Sequence, residues 1–380
     1  MKDYMTIYKE WLENPYFDEA TKEELRAIEG DENEIKERFY MDLEFGTAGL
    51  RGIIGAGINR MNIYTVRRAT QGLANYIIKQ GGAAKGVAIA FDSRHMSPEF
   101  AEEAALTLAA NGIKAYRFET LRPTPELSFA VRELGCIAGI NITASHNPPE
   151  YNGYKVYWED GAQLPPAEAD VVANEMAKTD IFTDVKTADY DESVKNGLIR
   201  ILSKETDEAY LDEVIKVAVN PDCVKQVADE FKLVYTPFHG AGYRLVPEIL
   251  RRLGYKHIIC EPEQMKIDGD FPTVKNPNPE YKEGFTLAIE LAKQNDVDLI
   301  IGTDPDSDRT GIVLKDKSGE YVTLSGNQVG VLLTDYIITA KKLTNTMPAH
   351  PAVLKSIVTT EMARAAAEKN GVACFGTFTG

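Results

Sequence analysis

Apolar positions along the chain alternate between two periods. A helix-like stretch, Val66 to Lys79, leads through Gly81-Gly82 into the apolar run Val87-Ala88-Ile89-Ala90-Phe91, a switch from helical to strand patterning. Ser97-Pro98 opens the next predicted helix, with a serine N-cap and proline at the first helical position, and Asn111-Gly112 closes it with a left-handed stop. Glu126–Leu134 and the short strand Ile137–Ile142 repeat the cycle. A second series runs through strand Leu233-Val234-Tyr235, helix Val246–Leu253, strand His257–Cys260, helix Phe285–Lys293 and strand Val297–Ile301. A hairpin of Gly311–Leu314 with Tyr321–Leu324 follows. A third series has a long apolar helix from Asn327, strand Ala352–Val358, helix Met362–Lys369 and strand Val372–Phe375. The first forty residues read as acidic helical material anchored by Trp11, Leu12, Tyr16 and Phe17. This rhythm predicts α/β architecture, parallel sheets covered by helices.

The polar, acidic stretch from Pro165 to Glu205 places a domain boundary near residue 203. Two strands and two helices do not complete a covered parallel sheet, so the last series is expected either to be an incomplete domain of a longer protein or to join the second domain.

The 380 residues carry 42 Lys+Arg and 58 Asp+Glu, a net charge of −16. At roughly 100–200 residues per domain, two or three domains are expected. The acidic balance argues against nucleic-acid or anionic-membrane partners, which need a basic surface. Phosphorylated ligands would have to be met by a few placed cations. No apolar run approaches the span of about 20 residues that crosses a bilayer. The start, Met1-Lys2-Asp3-Tyr4, reads as no secretory signal. Cys136, Cys223, Cys260 and Cys374 have no paired spacing, so buried thiols in a reducing compartment and a cytoplasmic location are expected.

Two loops carry candidate chemistry. Asn141-Ile142-Thr143-Ala144-Ser145-His146-Asn147-Pro148-Pro149 follows a short strand, where open α/β sheets place ligand loops. The prolines keep a helix from starting at His146, so Ser145 is expected on a projecting turn, either as an activated nucleophile or as part of an ordinary polar turn. No Gly-x-Ser-x-Gly elbow surrounds it, which disfavours an acyl-transfer hydrolase. In Thr303-Asp304-Pro305-Asp306-Ser307-Asp308-Arg309, an extended chain would put three alternate carboxylates on one face. Such a cluster calls for a cation, and hard oxygen donors favour Mg²⁺ or Ca²⁺. An EF-hand fails, because Arg309 replaces its glycine and Lys315 its bidentate glutamate. Asn152-Gly153-Tyr154-Lys155 reads as a turn returning Lys155 toward Ser145, Asp92-Ser93-Arg94 as a structural ion pair, and His239 as a hydrogen-bonded turn residue.

Together with Gly46-Thr47-Ala48-Gly49-Leu50-Arg51-Gly52, Thr143–Pro148, Asn152–Lys155 and Asp304–Arg309 resemble the α-D-phosphohexomutase family, in its longer bacterial phosphoglucomutase and phosphopentomutase branch. The resemblance implies consecutive related α/β/α domains with mixed, mostly parallel sheets. Residues 1–203 would be domain 1 with an N-terminal helical extension, 204–325 domain 2 and 326–380 an incomplete domain 3, with domain 4 absent. It implies Ser145 as the phosphoserine, Asp304, Asp306 and Asp308 with the serine phosphate as Mg²⁺ ligands, and Arg51, His146, Lys155 and Arg309 around the transfer site. Lys155 and His146 are the acid–base candidates. The implied reaction interconverts glucose 1-phosphate and glucose 6-phosphate through glucose 1,6-bisphosphate. Mannose or pentose phosphates remain open as substrates, as do a non-catalytic phosphosugar-binding fragment and a Mg²⁺ phosphohydrolase. The family's third-domain sugar loop and C-terminal phosphate loop are absent, so turnover of residues 1–380 is expected to be impaired without the missing domains.

Overall fold

The computed structural model describes residues 3–46 and 49–379. Thr47 and Ala48 of the first glycine-rich motif lie outside the described residues. The chain divides into two units. One runs to Asp207 and includes Asp268–Pro272 and Pro305–Asp308; the other takes Glu208–Ile267, Thr273–Asp304 and the chain from Arg309 on.

The first unit opens with three short helices, α1 (Tyr4–Glu13), α2 (Glu19–Ala27) and α3 (Glu32–Phe39). Asp18 and Asp31 cap the second and third by accepting main-chain N–H bonds. Their apolar faces close an aromatic cluster in which Trp11 stacks on Phe17 at 4.1 Å and Tyr64 meets Phe17 edge-on at 4.8 Å. Strand β1 (Gly49–Ile53) and helix α4 (Ile63–Lys79) follow, α4 starting at a capping box of Asn62 and Thr65. Then come β2 (Val87–Phe91), α5 (Ser97–Ala110), β3 (Ala115–Phe118), α6 (Thr124–Glu133), β4 (Ala138–Ile142), β5 (Tyr151–Trp158), α7 (Pro166–Lys178), α8 (Tyr190–Lys195) and β6 (Ile199–Leu202). The six-stranded sheet is ordered β1-β5-β4-β2-β3-β6, with β1 and β5 antiparallel to their neighbours. Every residue of β2 and β4 is buried, as parallel strands covered on both faces require.

Helix α9 (Lys204–Lys216) contains the division between the units. The second unit continues with α10 (Asp222–Val227), β7 (Lys232–Thr236), α11 (Gly242–Arg252), β8 (His257–Cys260), α12 (Thr286–Asn295), β9 (Leu299–Thr303), β10 (Thr310–Lys315) and β11 (Tyr321–Leu324). Its five-stranded sheet is ordered β11-β10-β9-β7-β8 around a core containing Val234, Phe238, Phe285, Ile300 and Tyr321. Helix α13 (Gly326–Leu343), strand β12 (Ala352–Ser356), helix α14 (Glu361–Lys369) and strand β13 (Ala373–Thr377) follow, the two strands pairing in parallel as a separate sheet. Leu332 on α13, Leu354 on β12 and Phe375 on β13 are exposed.

Four expectations are corrected. Asn152–Lys155 is not a turn but part of β5, paired throughout with β1 and, from Tyr154 on, with β4 as well; the β1 ladder overrides the local turn propensity of Asn-Gly. The reversal lies instead at Ser145–Glu150. Ser97 is the first residue of α5 rather than its cap; left-handed Met96 (φ 62°) holds the cap position, and the Ser97 hydroxyl donates to Asp92. Of the cysteines, Cys136 and Cys374 are buried but Cys223 is exposed. The Asp304–Asp308 segment is a turn beyond β9 and not extended chain, with Ser307 at φ 56°.

Two stability and reactivity outcomes follow from this packing. A Cβ on Gly153 would lie 2.4 Å from the Thr143 carbonyl oxygen and 3.0 Å from that of Leu50. Gly153→Ala is therefore expected to cost about 1–3 kcal/mol, read as a lowered denaturant midpoint with an unchanged slope. Burial pushes the Cys136 thiol up to about 12. A thiol reagent at neutral pH is expected to label Cys223 rapidly and Cys136 only after unfolding, which mass spectrometry of the labelled peptides would check.

Candidate active site

The Ser145 loop and the Asp304–Asp308 turn follow the carboxyl ends of β4 and β9, where the chain leaves the sheet and its polar groups escape the ladder, whereas Arg51 and Lys155 lie within β1 and β5. Ser145 begins the turn within the loop joining β4 to β5, at φ 53°, a left-handed conformation unusual for a residue bearing a Cβ. It lies on a turn as expected, but it is buried (4 % exposed) and does not project. Its main-chain N–H donates to Thr143 Oγ1 at 2.7 Å, and its Oγ is 3.2 Å from His146 Nδ1. Arg51, on edge strand β1, donates from Nη1 to Asn147 Oδ1 at 3.3 Å and so reaches the same loop.

Lys155 stands on β5, with its Nζ 3.1 Å from Asp306 Oδ2. Thr124 donates to that same oxygen at 3.1 Å and its main-chain N–H to the Asp306 carbonyl at 2.8 Å, while Asn141 donates to Thr124 Oγ1 at 2.7 Å. Burial opposes the charge on Lys155, but the negative charges of Asp306 and Asp308 outweigh it and hold its pKa above the ordinary lysine value. The lysine is thus a fixed cation.

Asp304, Asp306 and Asp308 each offer a carboxylate oxygen within 4.8 Å of the others, the first two buried and the third exposed. Such hard oxygen donors on a tight turn fit a small divalent cation such as Mg²⁺. Arg309 donates its main-chain N–H to Asp304 Oδ1 at 2.9 Å; its side chain is exposed and lines a pocket with Glu280 and Leu324. His239 is a buried turn residue, one ring nitrogen 2.8 Å from the Lys266 carbonyl and the other 2.8 Å from Thr273 Oγ1.

Sequence reasoning missed Thr124, which has no motif around it and reaches Asp306 only through the fold. The expected ion pair of Asp92 and Arg94 is present, with Arg94 Nε 3.5 Å from an Asp92 carboxylate oxygen just past the carboxyl end of β2.

Residues 42–181 match Phosphoglucomutase/phosphomannomutase, alpha/beta/alpha domain I, and residues 208–319 match domain II of the same family. The chain belongs to the α-D-phosphohexomutase family. Over 378 residues it is 38 % identical to a phosphoglucomutase of Staphylococcus saprophyticus, an alignment taking in 97 % of this chain and 65 % of that protein. A protein of Thermus thermophilus solved as a candidate phosphomannomutase superposes with a TM-score of 0.72 at 25 % identity, covering 90 % of this chain and 70 % of that one. The Paramecium phosphoglucomutase pp63/parafusin, in its open form, shares the fold with a TM-score of 0.68 at 21 % identity, over 90 % of this chain and 63 % of its own. The chain thus spans somewhat under two thirds of its curated relatives' length. Family membership accords with the α/β/α expectation. Among the described residues, no helix is long and apolar enough to cross a membrane.

Proposed function

We propose that this chain carries the phosphoserine and metal-binding parts of a sugar phosphomutase that interconverts glucose 1-phosphate and glucose 6-phosphate. One observation carries the reading: the β4–β5 loop and strand that hold Ser145 also hold Lys155, and Lys155 pairs with the three-carboxylate turn. Asp304, Asp306 and Asp308 would hold Mg²⁺, which supplies Lewis-acid charge to a phosphoryl oxygen. The phosphoryl group passes from Ser145 Oγ to a sugar-phosphate hydroxyl. The serine P–O bond breaks, a P–O bond to the sugar forms, and the hydroxyl proton passes to solvent water. His146 Nδ1 is the group placed to return a proton to Ser145 Oγ. Lys155 offsets charge on the transferring group and Arg51 borders the loop. The resulting glucose 1,6-bisphosphate reorients and gives its other phosphoryl group back to the serine. The phosphoglucomutase relatives support glucose phosphates as the substrates; the family match takes in phosphoglucomutases and phosphomannomutases alike.

The test is to incubate the 380-residue chain with Mg²⁺ and glucose 1,6-bisphosphate and map phosphate by peptide mass spectrometry. One phosphoryl group on Ser145 is the expected result. An unmodified Ser145 overturns the reading, and steady release of inorganic phosphate from sugar phosphates points to a phosphohydrolase.

A further inference from the structure

Arg94 carries a guanidinium whose two Nη groups are both spent on one loop. Its Nη2 donates to the carbonyl of Ser145 at 2.6 Å and to that of Asn147; its Nη1 donates to the carbonyls of Pro148 at 2.8 Å and Tyr151 at 3.0 Å. The side chain is almost wholly buried (1 % exposed). Asp92 anchors it from below: one carboxylate oxygen lies 3.5 Å from Arg94 Nε, and the other accepts the Arg94 main-chain N–H at 3.0 Å and the Ser97 hydroxyl at 3.0 Å. The ring of Phe271, from the Asp268–Pro272 segment of the same unit, covers the guanidinium at 5.2 Å. Gly269 keeps that segment close, since a Cβ there would meet the His95 nitrogen at 2.9 Å.

We propose that Arg94 is a positioning residue whose guanidinium holds the main chain of residues 145–151 in the strained shape that aims the Ser145 hydroxyl. A structural ion pair with Asp92 alone would need one donor of the fork. Here the other donors are distributed over four carbonyls of a single loop. The Ser145 peptide is held on both sides, its N–H by Thr143 and its carbonyl by Arg94, which fixes the direction of its Cα–Cβ bond. A left-handed non-glycine residue persists only where its surroundings over-determine it, and these bonds are those surroundings. Lysine, a point charge without the planar fork, cannot serve four carbonyls at once.

This inference rests on Ser145 being the phosphoryl acceptor, and the test separates the two claims. Arg94→Lys and the milder Phe271→Leu are compared with the parent chain in two measurements. The first is the rate of phosphate uptake at Ser145 from glucose 1,6-bisphosphate. In R94K the rate at saturation is expected to fall roughly a hundredfold, with the half-saturating concentration changed by less than about twofold, since displacement of the nucleophile costs rate and not ground-state binding. The second is amide hydrogen exchange. Exchange at Asn147 and Tyr151, whose N–H groups bond within the loop, is expected to quicken about tenfold while the β2 and α5 amides hold their parent rates. Phe271→Leu, which folds with less risk, should move both readouts in the same direction by less. Unchanged saturated uptake per folded molecule, or unchanged exchange in the loop, overturns the assignment. If the parent chain takes up no phosphate, the phosphoserine reading falls and the exchange measurement alone decides the role of Arg94.

Discussion

Ser145→Ala is expected to abolish phosphate uptake from glucose 1,6-bisphosphate while leaving the fold intact. The bonds that shape the loop use the main chain of Ser145: its N–H to Thr143, its carbonyl from Arg94. Alanine keeps both and keeps the Cβ, so the left-handed strain is unchanged. What is lost is the hydroxyl and its contact with His146 Nδ1, worth about 1 kcal/mol of stability. Thermal melting should therefore stay close to that of the parent, while phosphopeptide mapping finds no modified residue in Thr143–Tyr151. Uptake that persists elsewhere in the chain would mean that the nucleophile has been misassigned.

Asp306→Ala is expected to have the second-largest effect, on metal binding. Removing one of three carboxylates that come within 4.8 Å of one another takes away a ligand and much of the negative charge that draws a divalent ion. Mg²⁺ at a hundredfold excess over its dissociation constant should stabilise the parent chain by about 2.7 kcal/mol and the variant by far less. Without Mg²⁺ the variant should also be weaker. Lys155 loses its partner at 3.1 Å, and a buried ammonium left without a carboxylate is costly. Relief of repulsion inside the acidic turn offsets part of that cost, leaving a net loss of about 2 kcal/mol. Denaturant titrations with and without Mg²⁺ check both parts. A midpoint in the variant that responds to Mg²⁺ as the parent's does would remove Asp306 from the metal site.

Much of the architecture was legible because burial imposes periodicity. Strands such as Val87–Phe91 are apolar at every position, since helices cover both faces, and their boundaries read directly from the chain. Strand His257–Cys260 and the β10–β11 hairpin were readable for the same kind of reason: apolar runs bounded by turn residues. Strand β1 was not legible. Gly49-Leu50-Arg51-Gly52-Ile53 has the composition of a loop and becomes a strand only because β5 supplies its ladder. Asn152-Gly153 was misread for the converse reason, a turn-forming pair held in the ladder with β1, which leaves it no freedom to turn.

The candidate site divides in the same way. The sequence by itself determined which groups are present: a serine next to histidine after a strand, three closely spaced aspartates, and the lysine and arginines that accompany them. Covalent spacing suffices for that, because groups a few residues apart cannot be far apart in space. Only the tertiary structure decided what these groups do to one another. Lys155 meets Asp306 across 151 positions of sequence, and Arg94 reaches the Ser145 carbonyl across 51. Those contacts depend on strand order and register, which emerge when whole sheets close and which no local pattern encodes.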